Sequence, residues 1–361
     1  MNEKLLYAAN LIASRYLNAG SRKPVHVASI KRILVVKWDE IGDMAAAVHV
    51  FALIRASYPE AEITVLCKPF VASLLGNHPA ISKVITHERE WQERYDVVIE
   101  LRGTWGTLKK SLHWKTLPKY RFDRGWIRFK QRGNQPHELL TNYRVIEPLL
   151  MFDSKGWNDV KALSSFRKIY PAADNIDHAE RWKEWALEGS DTSVKSYVVL
   201  HTGARSPLRR WSTERFVKLS QWLLNELNLM PIWVGTNDEV DQISEAMKLG
   251  GAGKAWIAGT VSPESLDLLS FYAFISKAAL YVGNESGPLQ LADMADIPTV
   301  AIYGPGVPRV FYPVSNKCEV LHHVLACNPC DQQHCSQPDD RCVDRVELAQ
   351  VKEAILRVLT L

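Results

Sequence analysis

Arg32-Ile33-Leu34-Val35-Val36-Lys37-Trp38-Asp39-Glu40-Ile41-Gly42-Asp43 carries an apolar run into a polar turn, and a helical pattern over residues 44–58 follows. Successive aliphatic residues with no polar alternation predict a strand buried on both faces, as in a parallel sheet covered by helices. Downstream, residues 63–67, 83–85 and 96–101 read as further strands separated by helical segments, which makes a Rossmann-like half. Ahead of it, Leu5, Leu11, Ile12, Tyr16 and Leu17 recur at helical spacing and stop at Asn18-Ala19-Gly20-Ser21. Charges there are too few for a membrane-surface anchor, so the segment is expected to pack on the first domain.

A second series begins at Ser196-Tyr197-Val198-Val199-Leu200-His201. It continues through a helix at 214–227, a strand at 230–234, helices at 238–249 and 263–276, a strand at 279–282, a helix from Pro288 and a strand at 299–303. The pattern predicts an α/β protein of two doubly wound, Rossmann-like domains facing a central cleft, where open α/β sheets hold ligands at the C-terminal ends of their strands. The expected division is a helical extension over 1–30, a first domain over 31–175, a second over 176–345 and a C-terminal helix over 346–361 that crosses back. The linker is expected within 152–191, where strong strands are lacking and Pro171-Ala172-Ala173-Asp174 stands.

Composition agrees with two folded domains: 361 residues exceed the size at which one core stops growing, and 47% are hydrophobic against 23% charged. The net charge of +4 selects no partner, but its placement is uneven. Between Arg102 and Arg144, Arg102, Lys109, Lys110, Lys115, Lys119, Arg121, Arg124, Arg128, Lys130, Arg132 and Arg144 face only Asp123 and Glu138, so eleven cations less two anions leave an excess of nine. Lys109, Arg121, Arg124 and Arg128 are the candidate contacts for an anionic acceptor. Aromatic residues interleave this segment, but no nucleic-acid motif accompanies them, so nucleic acid is not the expected partner. No apolar run approaches the roughly 20 residues of a membrane span, and no signal core follows Met1. The expected location is the cytoplasm, with peripheral contact at the cytoplasmic face of an inner membrane.

Three turns carry chemistry. Asp43, after Gly42, stands where the first sheet opens, and a carboxylate there can take a proton from an attacking hydroxyl; capping of the following helix is the alternative role. Gly283-Asn284-Glu285-Ser286-Gly287-Pro288 joins a strand to a helix, whose amides and positive end suit a diphosphate. His201-Thr202-Gly203-Ala204-Arg205 and then Arg209-Arg210-Trp211 close the first strand of the second domain, and guanidinium forks suit phosphate oxygens. Neither GxGxxG after the first strand nor GxxxxGK[ST] is present, which excludes the usual dinucleotide and P-loop sites.

In combination these motifs, with Tyr303-Gly304-Pro305, resemble in order and spacing those of the heptosyltransferase family, glycosyltransferase family 9, from about Lys31 to the C-terminus. The resemblance implies a GT-B fold, with an acceptor held by the first domain and a nucleotide-sugar donor, ADP-heptose in many members, held by the second. It also implies an inverting reaction without a catalytic metal, on a lipopolysaccharide-core acceptor that is anionic and lipid-linked. Asp43 matches the catalytic base. Thr202, Gly203, Arg209, Glu239, Glu285, Ser286, Gly287 and Gln290 fall at the donor-binding positions, Glu239 as the ribose-binding acid. Arg209 replaces a usual Lys, Glu285 a usual Asp and Gln290 a common His; these departures bear on the donor more than on the reaction type.

Cys327-Asn328-Pro329-Cys330 with Cys335 and Cys342 offers four thiols at irregular spacing. Reduced structural thiols are the expected state, with a structural zinc or iron as the alternative and no cofactor required for catalysis. Other readings of the same shell are a transferase or epimerase for a different nucleotide sugar, and a non-catalytic protein that binds a nucleotide sugar or glycan.

Overall fold

The computed structural model describes residues 29–90, 94–111, 118, 120–125, 127, 134–152, 159–257, 267–306, 308–328, 330 and 332–360, together with helical positions 5, 8, 9 and 12. The expected helical extension over 1–30 therefore lies almost wholly outside the described residues, as does the expected start of a helix at 263. The chain forms two compact units, Met1–Tyr170 with Arg309–Phe311, and Pro171–Pro308 with Tyr312–Leu361.

In the first unit, β1 (Arg32–Lys37), β2 (Glu62–Cys67), β3 (Lys83–Ile85), β4 (Val97–Glu100) and β5 (Tyr120–Asp123) form a wholly parallel sheet in the order β3-β2-β1-β4-β5. Ile33 through Val36 are buried, as an aliphatic run covered on both faces must be. The helix expected from Met44 is two helices, Ile41–Ala45 and Val48–Ser57. Asp43 thus sits inside the first helical turn, and Glu40 takes the N-cap position.

In the second unit, β6 (Ser196–His201), β7 (Leu229–Gly235), β8 (Lys254–Ile257), β9 (Leu280–Asn284), β10 (Thr299–Tyr303) and β11 (Cys318–His322) give the parallel order β11-β10-β9-β6-β7-β8. Each sheet reverses its winding beside its first strand, at β1/β4 and at β6/β9, and such switch points open a crevice at the strand C-termini. The linker region holds the helix Ala173–Leu187, whose Ala179, Trp182 and Ala186 are buried; Trp182 meets Trp256 at 4.8 Å and Phe274 at 5.4 Å between ring centroids. The C-terminal helix is Leu348–Leu359, and its Val351, Ala354, Ile355 and Val358 belong to the second unit's own core.

Candidate donor and base sites

The second unit's switch point gathers most of the donor motif. β6 ends at His201, paired in register with Gly283 of β9, so the Thr202-Gly203 turn lies beside Asn284, Glu285 and Ser286. Gly283 is forced by closeness: a Cβ there would stand 2.7 Å from the Tyr281 hydroxyl and 2.8 Å from the His201 carbonyl oxygen. Asn284, fully buried, ties the motifs together by donating through Nδ2 to the Thr202 carbonyl at 2.7 Å and accepting from the Trp211 N–H at 3.1 Å. Trp211 is anchored by its ring N–H to the Val346 carbonyl at 2.7 Å. Asn284 was in the quoted motif without a role; only the register reveals it as the clamp between three turns.

Ser286 is the N-cap residue of the helix Gly287–Met294, yet its hydroxyl makes no capping bond. Pro288 in the first turn has no N–H to give, so the usual cap partner would be the Leu289 N–H. The hydroxyl stands instead 3.1 Å from Nδ1 of His201. On the other edge of that ring, Nε2 lies 3.6 Å from a Glu239 carboxylate oxygen. Glu239 follows β7 and accepts from the Thr236 N–H at 2.8 Å. Burial favours its neutral form, but the neighbouring His201 together with the Thr236 donors outweighs burial and holds the carboxyl at about 2. Gly203 makes room for it, since a Cβ would stand 1.4 Å from a Glu239 oxygen.

Because the folded value is depressed, Glu239 contributes stability that is complete above about pH 4.5 and is lost as pH falls towards about 2. Glu239→Gln is expected to have a shallower loss of stability across that window. Urea midpoints at pH 5 and pH 3 check this; equal losses in both proteins would contradict it.

Arg209 stands in the same unit, donating through Nε to the Gln332 side chain at 2.6 Å and pairing through Nη1 with Glu285 at 3.4 Å. Burial pushes the Glu285 carboxyl up, and Arg209 works against that push. One Glu285 oxygen and the Thr202 hydroxyl, both buried, find no hydrogen-bond partner among the described residues. Gly306 clears space for Glu285, because a Cβ there would lie 1.9 Å from its carboxylate. Gln290 is buried one turn into the helix. Gln332 and Gly306 were not anticipated; Gln332 lies over a hundred positions from its partner, and no local pattern marks it.

In the first unit, Asp43 is half-buried beside a cation invisible to the sequence reading. Lys37, at the end of β1, is fully buried and pairs with Asp39 at 2.9 Å. Burial and then Arg124 depress its amine to about 8, against the opposing pull of Glu138 and Asp43. Arg102 also pairs with Asp39. Glu100 accepts from the N–H groups of Arg102 and Gly103 at 2.8 Å, with Gly103 at a φ of 72° that a side chain would strain.

The acceptor set needs correction at two positions. Arg121 is fully buried and bound to Asp123 at 2.9 Å, with Glu100 3.9 Å away. Arg124 is buried too, donating to Glu138 at 2.6 Å and to the Leu101 carbonyl at 3.3 Å. Their charge neutralises interior carboxylates, because an unpaired buried charge is costly, so neither is available to an acceptor. Arg128 and the side chain of Lys109 lie outside the described residues.

Cys327, Cys330, Cys335 and Cys342 line one pocket of the second unit with Leu208 and Arg341, and none is in a disulfide. Among the described residues, no three His, Cys, Asp or Glu side chains form a group able to hold a metal ion.

A family model described as glycosyltransferase family 9 (heptosyltransferase) matches residues 87–339. The lipopolysaccharide heptosyltransferase 2 of Salmonella typhimurium is 24% identical over 320 residues, 80% of this chain and 87% of its own. A glycosyltransferase family 9 structure from Veillonella parvula aligns with a TM-score of 0.71 at 18% identity, covering 91% of this chain and 97% of its own. The E. coli ADP-heptose lipopolysaccharide heptosyltransferase II gives 0.69 at 18%, with 91% and 98% covered. The likeness establishes the fold class as GT-B, built of two Rossmann-like domains.

Proposed function

The chain belongs to glycosyltransferase family 9, the heptosyltransferases, and from that premise we propose that it moves heptose from ADP-heptose onto a hydroxyl of an anionic, lipid-linked lipopolysaccharide-core acceptor. One observation carries the reading: a helix whose first turn has no side-chain cap begins at the β6/β9 switch point, with Arg209 and Glu239 in the same unit. Such a terminus takes a diphosphate through backbone N–H groups and the positive end of the helix dipole. Glu239 is then the acceptor for ribose hydroxyls, while Thr202 offers a buried hydroxyl in want of a partner.

The step is a single displacement with inversion. Asp43 takes the proton of the acceptor hydroxyl as its oxygen attacks the anomeric carbon, and the bond to the departing diphosphate breaks. Arg209 and the Gly287–Met294 helix terminus stabilise the charge that develops on that leaving group, a role otherwise open to a metal ion. The four clustered cysteines serve local structure, outside the reaction. No helix among the described residues is long and apolar enough to cross a membrane; the protein acts in the cytoplasm and meets its acceptor at the membrane surface.

A thermal-shift screen of nucleotide sugars tests the donor. At 100 times its dissociation constant, a ligand that binds only the folded protein adds about 2.7 kcal/mol. ADP-heptose is expected to raise the melting temperature most, and a larger rise with a uridine or guanosine sugar would overturn that choice.

A further inference from the structure

We propose that His201 is a positioning residue of the donor site: it draws the Ser286 hydroxyl off the helix that Ser286 would otherwise cap, and so leaves the helix terminus open to the diphosphate. The inference rests on the donor reading above and goes beyond it, since His201 touches no part of the donor in that scheme.

The argument begins with what serine does by default. At an N-cap, its hydroxyl accepts from an N–H of the first turn and satisfies one of the orphan donors there. In this helix only the Leu289 N–H is suited to that bond, yet Ser286 makes no capping contact; its hydroxyl lies 3.1 Å from Nδ1 of His201, with the buried Tyr281 hydroxyl as a second polar neighbour. Glu239 at 3.6 Å from Nε2 favours the tautomer with its proton on Nε2, which leaves Nδ1 as an acceptor for the Ser286 O–H. His201 is buried, with both ring nitrogens beside polar groups, Ser286 at Nδ1 and Glu239 at Nε2.

His201 thereby couples the two ends of the donor. Glu239, which faces the ribose, orients the imidazole; the imidazole occupies Ser286; and the diphosphate inherits the N–H groups that Ser286 leaves uncapped. Buried neighbours lacking partners, a Glu285 oxygen and the Thr202 hydroxyl, stand at the same turns and mark this rim as built for a ligand.

The test is calorimetric titration of ADP into the full-length wild type, His201→Gln, Ser286→Ala and the double variant. Gln preserves an amide donor towards Glu239 but offers nothing at the Nδ1 position, so Ser286 turns back to cap the helix and competes with phosphate. A cap is worth about 1 kcal/mol, so ADP is expected to bind His201→Gln about fivefold to tenfold more weakly. Adding Ser286→Ala removes the competing hydroxyl and is expected to bind ADP about threefold or more tightly than His201→Gln alone. A His201 that served packing alone would show no such rescue. His201→Ala provides the same comparison should the Gln variant fail to fold. ADP binding by His201→Gln equal to wild type, or a double variant no tighter than His201→Gln, overturns the proposal. A wild type that binds neither ADP nor ADP-heptose removes the donor reading and this inference with it, whereas wild-type binding without rescue removes this inference alone.

Discussion

Asp43→Asn is expected to fold like the wild type and to lose turnover by about a hundredfold to ten-thousandfold, the usual share of a general base. The substitution is nearly isosteric, and Glu40 rather than Asp43 occupies the N-cap position of the helix Ile41–Ala45. What disappears is the group that receives the acceptor's proton. Buried Lys37, which senses the Asp43 charge, would lose one of the influences raising its amine. The comparison is kcat for wild type and variant under saturating donor and acceptor, with matched thermal melts. A variant retaining near wild-type kcat would remove Asp43 from the role of base.

Gly203→Ala is expected to act on the donor instead. Its new methyl would lie 1.4 Å from one Glu239 oxygen and 2.2 Å from the carboxyl carbon, so the Glu239 side chain must leave. The displaced atoms are the far end of a flexible side chain, which lets the fold survive, but the Thr236 and His201 contacts of that carboxylate are lost. Misplacement of a binding group by about 1 Å can cost about a hundredfold, and a loss of that order is expected in kcat/KM for the donor. The acceptor's KM should change little. Steady-state kinetics in both substrates check the split, and an unchanged donor kcat/KM would show that Glu239 has no binding role at that place.

The sequence was most legible where one physical constraint acted alone. Ile33 through Val36 and Val198 through Leu200 are buried on both faces of parallel sheets, so their unbroken apolar character announced them. β5 was hidden because Arg121 and Asp123 look like surface residues; they are interior only because each satisfies the other beside Glu100. The same ion pairing misdirected the reading of the basic segment, in which Arg121 and Arg124 passed for acceptor contacts. β8 and β11 are the edge strands of their sheet, and β11 is only partly buried along its length, so neither carries the unbroken aliphatic run of a central strand. The helix Ala173–Leu187 did carry a signal, since Ala179, Trp182 and Ala186 recur at helical spacing in a region read as linker.

Within the site, Thr202, Gly203, Glu239, Glu285 and Ser286 were legible as motif positions, and the structure brings them to neighbouring strand ends in one unit. The roles of Asn284, His201 and Gln332 depended on which strand lies beside which. His201 and Ser286 are separated by 85 positions, and adjacency of β6 and β9 makes them neighbours. Lys37 presents the converse case: a lysine after a strand reads as solvated, and only the buried carboxylate of Asp39 beside it makes its interior position tenable.

Transfer itself is the most direct measurement. Purified protein, ADP-heptose and a lipopolysaccharide-core acceptor would be incubated with EDTA, and the acceptor's mass followed alongside ADP release. The account requires a gain of one heptose per ADP released, in the wild type and at a rate far below it in Asp43→Asn. ADP released with no sugar joined to any core acceptor, or equal transfer by both proteins, would contradict it.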